Sequence, residues 1–288
     1  LQFPCAHAAE LAVILQDSAK ADLVKGLLES GLCSPQERIE QALRAAEQIA
    51  DAYGRSEAYR EIALALVQVG QVEQALAAAR QIANDYGRSA AYREVAVALA
   101  QAGQVEQVLA AARQIANDYG RSAAYRAVAA ALAQAGQAER AQEVFQQALA
   151  TAGQIADAYW RSAAYRAIAV ALAQARQAEQ AQEAFQQALA TAEQIENAYR
   201  RSAAYRKIAL RLARAGQAER AQEVFQQALA AAGQIENAFW RSEAYGAVAV
   251  ALARAGQVEK AQEAFQQALQ AAEQIADDYG RSQAYRAV

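Results

Sequence analysis

The pair Arg-Ser recurs at Arg55-Ser56, Arg88-Ser89, Arg121-Ser122, Arg161-Ser162, Arg201-Ser202, Arg241-Ser242 and Arg281-Ser282. The spacings are 33, 33 and then four times 40 residues. A chain that repeats itself at such a period is a stack of one supersecondary unit, because a single unit of that size cannot bury its own apolar face. The seven-residue difference between the periods is nearly two α-helical turns, so it lengthens a helix while almost keeping its buried face in phase. The longer units carry an extra segment of the type Ala141–Gln147.

Composition says which unit. Proline occurs only as Pro4 and Pro35, and threonine only as Thr151 and Thr191. Alanine, leucine, glutamine, glutamate and arginine dominate, and these lose little rotamer freedom in a helix. With 55% hydrophobic residues there is ample apolar surface to offset the entropy of ordering. All-β and disordered chains are excluded, and the expected class is all-α.

Each unit reads as two helices. The first is expected over Ser162–Ala175, with Ser162 as N-cap. Tyr165, Ile168, Ala169 and Leu172 then fall at i, i+3, i+4 and i+7, one stripe of a helix. A Gly-Gln turn follows at Gly136-Gln137 and Gly216-Gln217, with Arg176 in the glycine's place in one unit. The second helix is expected from Ala178 to about Tyr199, its stripe Ala181, Phe185, Ala188, Leu189, Ala192 and Ile195. Gly54, Gly87, Gly120 and Gly280 read as breakers before the next Arg-Ser.

This pattern resembles the tetratricopeptide repeat. Tyr165, Ile168, Ala169, Leu172, Ala181, Phe185 and Ala188 occupy the family's signature places, and Gly136, Gly216 and Gly256 fill its turn. The resemblance covers Ser56 to Val288. It implies a right-handed α-solenoid of stacked antiparallel helix pairs, with an inner face that holds peptides. We expect a degenerate or truncated repeat over residues 1–34, a repeat array over 35–288, and about sixteen helices with no subdomain boundary. Ser282–Val288 starts a first-type helix and stops after two turns, which reads as a truncated last repeat.

Catalytic signals are sparse. His7 is the single histidine; it lies beside Cys5, and no further ligands complete a zinc site. No glycine-rich phosphate loop and no nucleophile elbow occur. The expectation is a chain without catalytic residues, cofactor or metal. Cys5 and Cys33 spell neither a disulfide framework nor a metal signature, which suggests a reducing, cytoplasmic setting. No apolar run reaches the length of a membrane span.

Arginine carries the functional signal. The chain has 28 basic residues, of which four are lysine, and 31 acidic ones, for a net charge of −3. Arg60, Arg93, Arg126, Arg166, Arg206 and Arg286 each follow the signature tyrosine, and Gly246 breaks the series. One reading makes them a guanidinium ladder over the inner groove. The other pairs them with glutamates of adjacent helices. Val97, Val170 and Val250 stand where the family's carboxylate clamp carries asparagine. The arginine of Arg-Ser reads instead as structural, a cation at the end of the preceding helix.

Two local features stand out. Arg200, Arg201, Arg206, Lys207, Arg211 and Arg214 lie in fifteen residues without an acid, and Lys207, Arg211 and Arg214 share one helical face. They form either a solvated basic face or a contact for an acidic partner. Trp160 and Trp240, 80 residues apart, are expected in loops on one ridge, as interaction anchors or as packing. The leading expectation is a protein-interaction scaffold. It would bind an acidic or extended peptide through Arg93, Arg126, Arg166, Arg206, Lys207, Arg211, Arg214, Trp160 and Trp240. Self-assembly through open ends to a homo-oligomer comes second. RNA binding comes third, disfavoured by the net negative charge.

Overall fold

The computed structural model of the protein describes residues 16–31, 33–101 and 105–287. His7 and Cys5 lie outside them, as does the start of the degenerate or truncated repeat expected over residues 1–34. Among the described residues there are fifteen helices and no strand. They are α1 (Asp17–Glu29), α2 (Pro35–Glu47), α3 (Ala52–Gln68), α4 (Val72–Arg80), α5 (Asp85–Gln101), α6 (Val105–Arg113), α7 (Asp118–Gln134) and α8 (Ala138–Gly153). Then follow α9 (Ala158–Gln174), α10 (Ala178–Glu193), α11 (Ala198–Arg214), α12 (Ala218–Gly233), α13 (Ala238–Arg254), α14 (Val258–Glu273) and α15 (Asp278–Ala287). Packing divides the chain into two compact units, residues 1–151 and 152–288, where the repeat by itself gave no reason for a boundary.

Each unit is a stack of helix pairs. In the second, α9 packs on α10, α11 on α12 and α13 on α14, and the first-type helices α9, α11 and α13 pack on one another in series. In the first, α3 pairs with α4 and α5 with α6, and α3, α5 and α7 adjoin. The first-type helices α3, α5, α7, α9, α11 and α13 all have 17 residues. The difference between the two periods falls in the second helix, nine residues in α4 and α6 against sixteen in α10, α12 and α14.

The expected stripes form the core. On α11 Ala204, Tyr205, Ile208, Ala209 and Leu212 are buried, and on α12 Ala221, Val224, Phe225, Ala228, Ala231 and Ala232. Alanines let the helices approach closely, while Phe145, Phe185 and Phe225 fill the wider layers. Between the paired helices the chain turns at Gly216 with φ 78°. The amide of Gln217 donates to the Leu212 carbonyl and that of Gly216 to Ala213, a Schellman-type closure that requires the left-handed residue. Arg176 takes this conformation too, with φ 61°.

Three expectations about helix ends are corrected. The first-type helices begin four residues before the serine, and their N-caps are Asp51, Asn117, Asp157, Asn197 and Asn237. Each cap accepts the amide three residues on, as Asn197 Oδ1 does from Arg200 N at 2.9 Å. The second helices stop correspondingly early, α10 at Glu193. The supposed breakers Gly54, Gly87, Gly120 and Gly280 lie inside the first turn, and so do Trp160 and Trp240, which are helical rather than in loops.

The Arg-Ser pair has a different use. Ser122, Ser162, Ser202 and Ser242 are buried, and their hydroxyls donate to the carbonyls of Ala148, Ala188, Ala228 and Ala268 at 2.8–3.0 Å. The serine thus bolts a first helix to its own second helix. The arginine holds the linker before its helix: Arg241 Nη1 donates to the carbonyls of Ile235 at 2.7 Å and Glu236 at 3.0 Å. In the second unit the other guanidinium nitrogen reaches the next repeat, Arg161 to Gln194, Arg201 to Gln234 and Arg241 to Gln274. The structural reading of these arginines therefore has a specific geometry.

Cys33 is disulfide-bonded, which corrects the reading that the cysteines spell no disulfide and removes the support it lent to a reducing setting. Among the described residues no helix is long and apolar enough to cross a membrane.

Candidate functional site

In the second unit the first-type helices bring aromatic and basic side chains into one contiguous surface. Tyr159 opens α9. Lys207, three turns into α11, donates to its hydroxyl at 2.9 Å, with the ammonium 5.4 Å from the ring centroid. The guanidinium of Arg200, in the first turn of α11, lies 5.8 Å from the same ring. A cation so placed is drawn to the negative face of the ring. Arg200 also meets Asp157 at 3.7 Å, with both side chains largely in solvent.

One junction along, the homologous Tyr199 donates to Glu243 of α13 at 2.8 Å. The two tyrosines thus hold opposite charges. Ala203 stands where Glu243 would be at the first junction, and Ala247 where Lys207 would be at the second. Burial raises the Tyr199 phenol above its ordinary value, and the hydrogen bond to Glu243 and its charge push the same way.

Arg206 sits between the two tyrosines. Burial lowers its guanidinium from the ordinary value; Tyr199, Tyr159 and Glu243 oppose that, and Arg254 adds to it. Arg211 is half-buried one turn beyond Lys207, and Arg214 is exposed at the end of α11. Trp160 and Trp240 flank this group at 47% and 48% exposure. Trp160 stands edge-on to Tyr159 at 5.3 Å. Trp240 is held edge-on between Tyr199 at 5.6 Å and Phe239 at 5.2 Å. The structure therefore gathers Trp160, Arg206, Lys207 and Trp240 from the expected set, with Arg211 and Arg214 continuing along α11.

The rest of the expected ladder is distributed differently. Arg166 is half-buried on α9, Arg126 is half-buried on α7 of the first unit, and the Arg93 side chain lies outside the described residues. Arg60 is ion-paired mainly on its own helix, with Glu57 at 3.0 Å and Glu61 at 3.1 Å, and meets Glu94 of the adjacent helix at 3.8 Å. Tyr159, Tyr199 and Phe239 were missed in the sequence. Their signal was an aromatic residue two places before every Arg-Ser of the 40-residue repeats.

A shallow cavity of about 360 Å³ opens between α10, α11 and α12. Glu193, Arg201, Tyr205, Gln227 and Gln234 line it with alanines and Leu189. Burial raises the Tyr205 phenol, with Glu193 adding to that and Arg201 opposing it. Among the described residues no group of three or more histidines, cysteines or carboxylates is placed to hold a metal.

No protein-family model matches the chain, and no curated protein matches it. Solved structures resemble it at low identity. A protein described as a kinesin light chain with nearly identical TPR-like repeats, from Podosopora anserina, is 22% identical, covers 77% of this chain and 98% of its own, and superposes with a TM-score of 0.40. BtubC (BKLC) from P. vanneervenii is 17% identical over 83% of this chain and 91% of its own, TM-score 0.38. Ton1535 from Thermococcus onnurineus NA1 is 17% identical over 93% and 98%, TM-score 0.33. The resemblance to tetratricopeptide repeats rests on the chain's own helix pairs, turns and stripes.

Proposed function

We propose that this is a protein-interaction scaffold whose second unit grips an extended acidic segment of another protein. The observation that carries the reading is the α11 surface. Arg200, Arg206, Lys207, Arg211 and Arg214 lie on one 17-residue helix without a single acid. Tyr159 and Tyr199 wall that surface, and Trp160 and Trp240 flank it. Cations beside aromatic rings favour a carboxylate-bearing chain with apolar side chains: the charges steer and orient it, and the rings supply desolvated contact. Arg166 on α9 would extend this face within the second unit, and Arg126 and Arg93 hold the equivalent sequence positions in the first.

The test is charge reversal. A fluorescein-labelled peptide rich in glutamate is titrated with wild type and with a Lys207→Glu/Arg211→Glu variant, read by anisotropy at low and high salt. Affinity should fall at least tenfold in the variant, and wild-type binding should weaken with added salt. Circular dichroism establishes that the variant keeps its helices. Equal affinity in a folded variant overturns the reading.

A further inference from the structure

We propose that the ridge of the second unit reads its ligand one polyproline turn per repeat. The ligand would be an extended segment with apolar residues at i and i+6, over Trp160 and Trp240, and a carboxylate at i+3 facing Arg200. The inference rests on the acidic-segment reading and adds a register to it.

Trp160, Arg200 and Trp240 are one structural position in three consecutive repeats. Each is the third residue of its helix, and each donates its amide to an Asx cap, at 3.0, 2.9 and 3.1 Å. Their helices, α9, α11 and α13, pack in series. The two indoles are half in solvent, yet each is fixed by edge-on aromatic neighbours, so a flat ring is presented without much further loss of side-chain freedom. The Arg200 side chain, on the helix between theirs, is 57% exposed; it lies 5.8 Å from the Tyr159 ring and meets Asp157 at a long, solvated 3.7 Å. A ligand carboxylate has little to displace.

The spacing selects the ligand's conformation. Packed helices lie about 8–10 Å apart, so two steps along the ridge cover about 16–20 Å. A polyproline II segment has three residues per turn and rises about 3.1 Å per residue. One turn is then about 9 Å, and residues i, i+3 and i+6 share a face over about 19 Å. A β-strand rises about 3.3 Å per residue but alternates its faces, so its i+3 side chain points away from Arg200. An α-helix needs about twelve residues for the same span. Only the polyproline form puts one side chain on each repeat, and aromatic-lined grooves are where such segments dock.

Proline-rich synthetic peptides test the register. The reference peptide carries two leucines six residues apart with a glutamate midway. The comparisons move the leucines to five apart, shift the glutamate by one place, or replace it with lysine. We expect the reference peptide to bind at least tenfold tighter than each of these. Trp160→Ala or Trp240→Ala should erase the preference for leucine spacing. Arg200→Gln should erase the preference for glutamate position and leave the spacing preference. Equal binding of all the acidic peptides overturns the register while the acidic groove stands. No binding of any acidic peptide removes both. Tighter binding of a single-stranded oligouridylate than of the reference peptide also overturns it, and makes the ridge a base-stacking surface.

Discussion

Ser202 and Asn197 offer a direct test of how each repeat is held. Ser202 is 1% exposed, and its hydroxyl reaches the Ala228 carbonyl at 2.8 Å. Ser202→Ala removes that bond without stranding its acceptor, because a carbonyl inside α12 also accepts the helix's own i+4 amide. The cost is therefore that of one net hydrogen bond, about 1 kcal/mol. Against a urea dependence of about 2 kcal/mol per molar, the midpoint should fall by about 0.5 M. Ser202→Asp is the sharper substitution. A capping position welcomes aspartate, whereas a buried interhelical position forces a carboxylate out of water without a cation and should cost at least about 3 kcal/mol. Asn197→Ala should cost about 1 kcal/mol through loss of the cap, and Asn197→Asp almost nothing. Urea unfolding followed by tryptophan fluorescence suits the purpose, because both tryptophans lie in the second unit. If Ser202→Asp unfolds at the wild-type midpoint while Asn197→Ala is silent, the serine is a cap and the bolt is wrong.

Other outcomes follow from the same geometry. Arg176→Gly should stabilise the chain by about 1 kcal/mol, since Arg176 holds φ 61° where the other turns use glycine, and a raised urea midpoint would show it. Phe225→Ala, at a side chain 1% exposed, should cost about 3–5 kcal/mol and lower the same midpoint. The Tyr199 phenol is held neutral above its ordinary 10.0, by burial first and then by Glu243, so its contribution is present below that value and lost as pH rises through the raised one. Glu243→Gln should bring its ionisation down, read from the ¹³Cζ shift of labelled tyrosine; an unmoved titration would separate the two residues.

Much of the repeat is legible in the residues alone. The stripe Tyr205, Ile208, Ala209 and Leu212 and the turn at Gly216 follow from helical periodicity and from the one residue type that prefers positive φ. The misplaced helix starts came from treating serine as the better cap when Asn197 stood four residues ahead. The stripe itself argues against a serine cap: Ser202, Tyr205, Ala209 and Leu212 run i, i+3, i+7 and i+10, so the serine lies on the buried face, where a cap has no place. The same shift moved Trp160 and Trp240 from loops into first turns, and with it their meaning changed. A tryptophan in a loop is positioned by that loop, whereas one at the third residue of a helix is positioned by the repeat, and so is every homologous residue beside it.

The basic patch could be read as composition but not as a site, because its partners come from other repeats. Lys207 meets Tyr159 across 48 residues and Tyr199 meets Glu243 across 44, offsets that depend on how one first helix leans on the next. Repeat arithmetic gives 40 and stops there. The choice between 44 and 48 is one turn of α-helix, and at each junction it follows the side chain that is not alanine. A Tyr159→Phe substitution should accordingly release Lys207 from its hydroxyl and leave the ring contact, whereas Tyr199→Phe should free the Glu243 carboxylate. The first should tighten binding of an acidic peptide and the second weaken it. Opposite signs from the same chemical change at homologous positions are what a surface with alternating charge partners requires, and equal signs would show that the two junctions act as one.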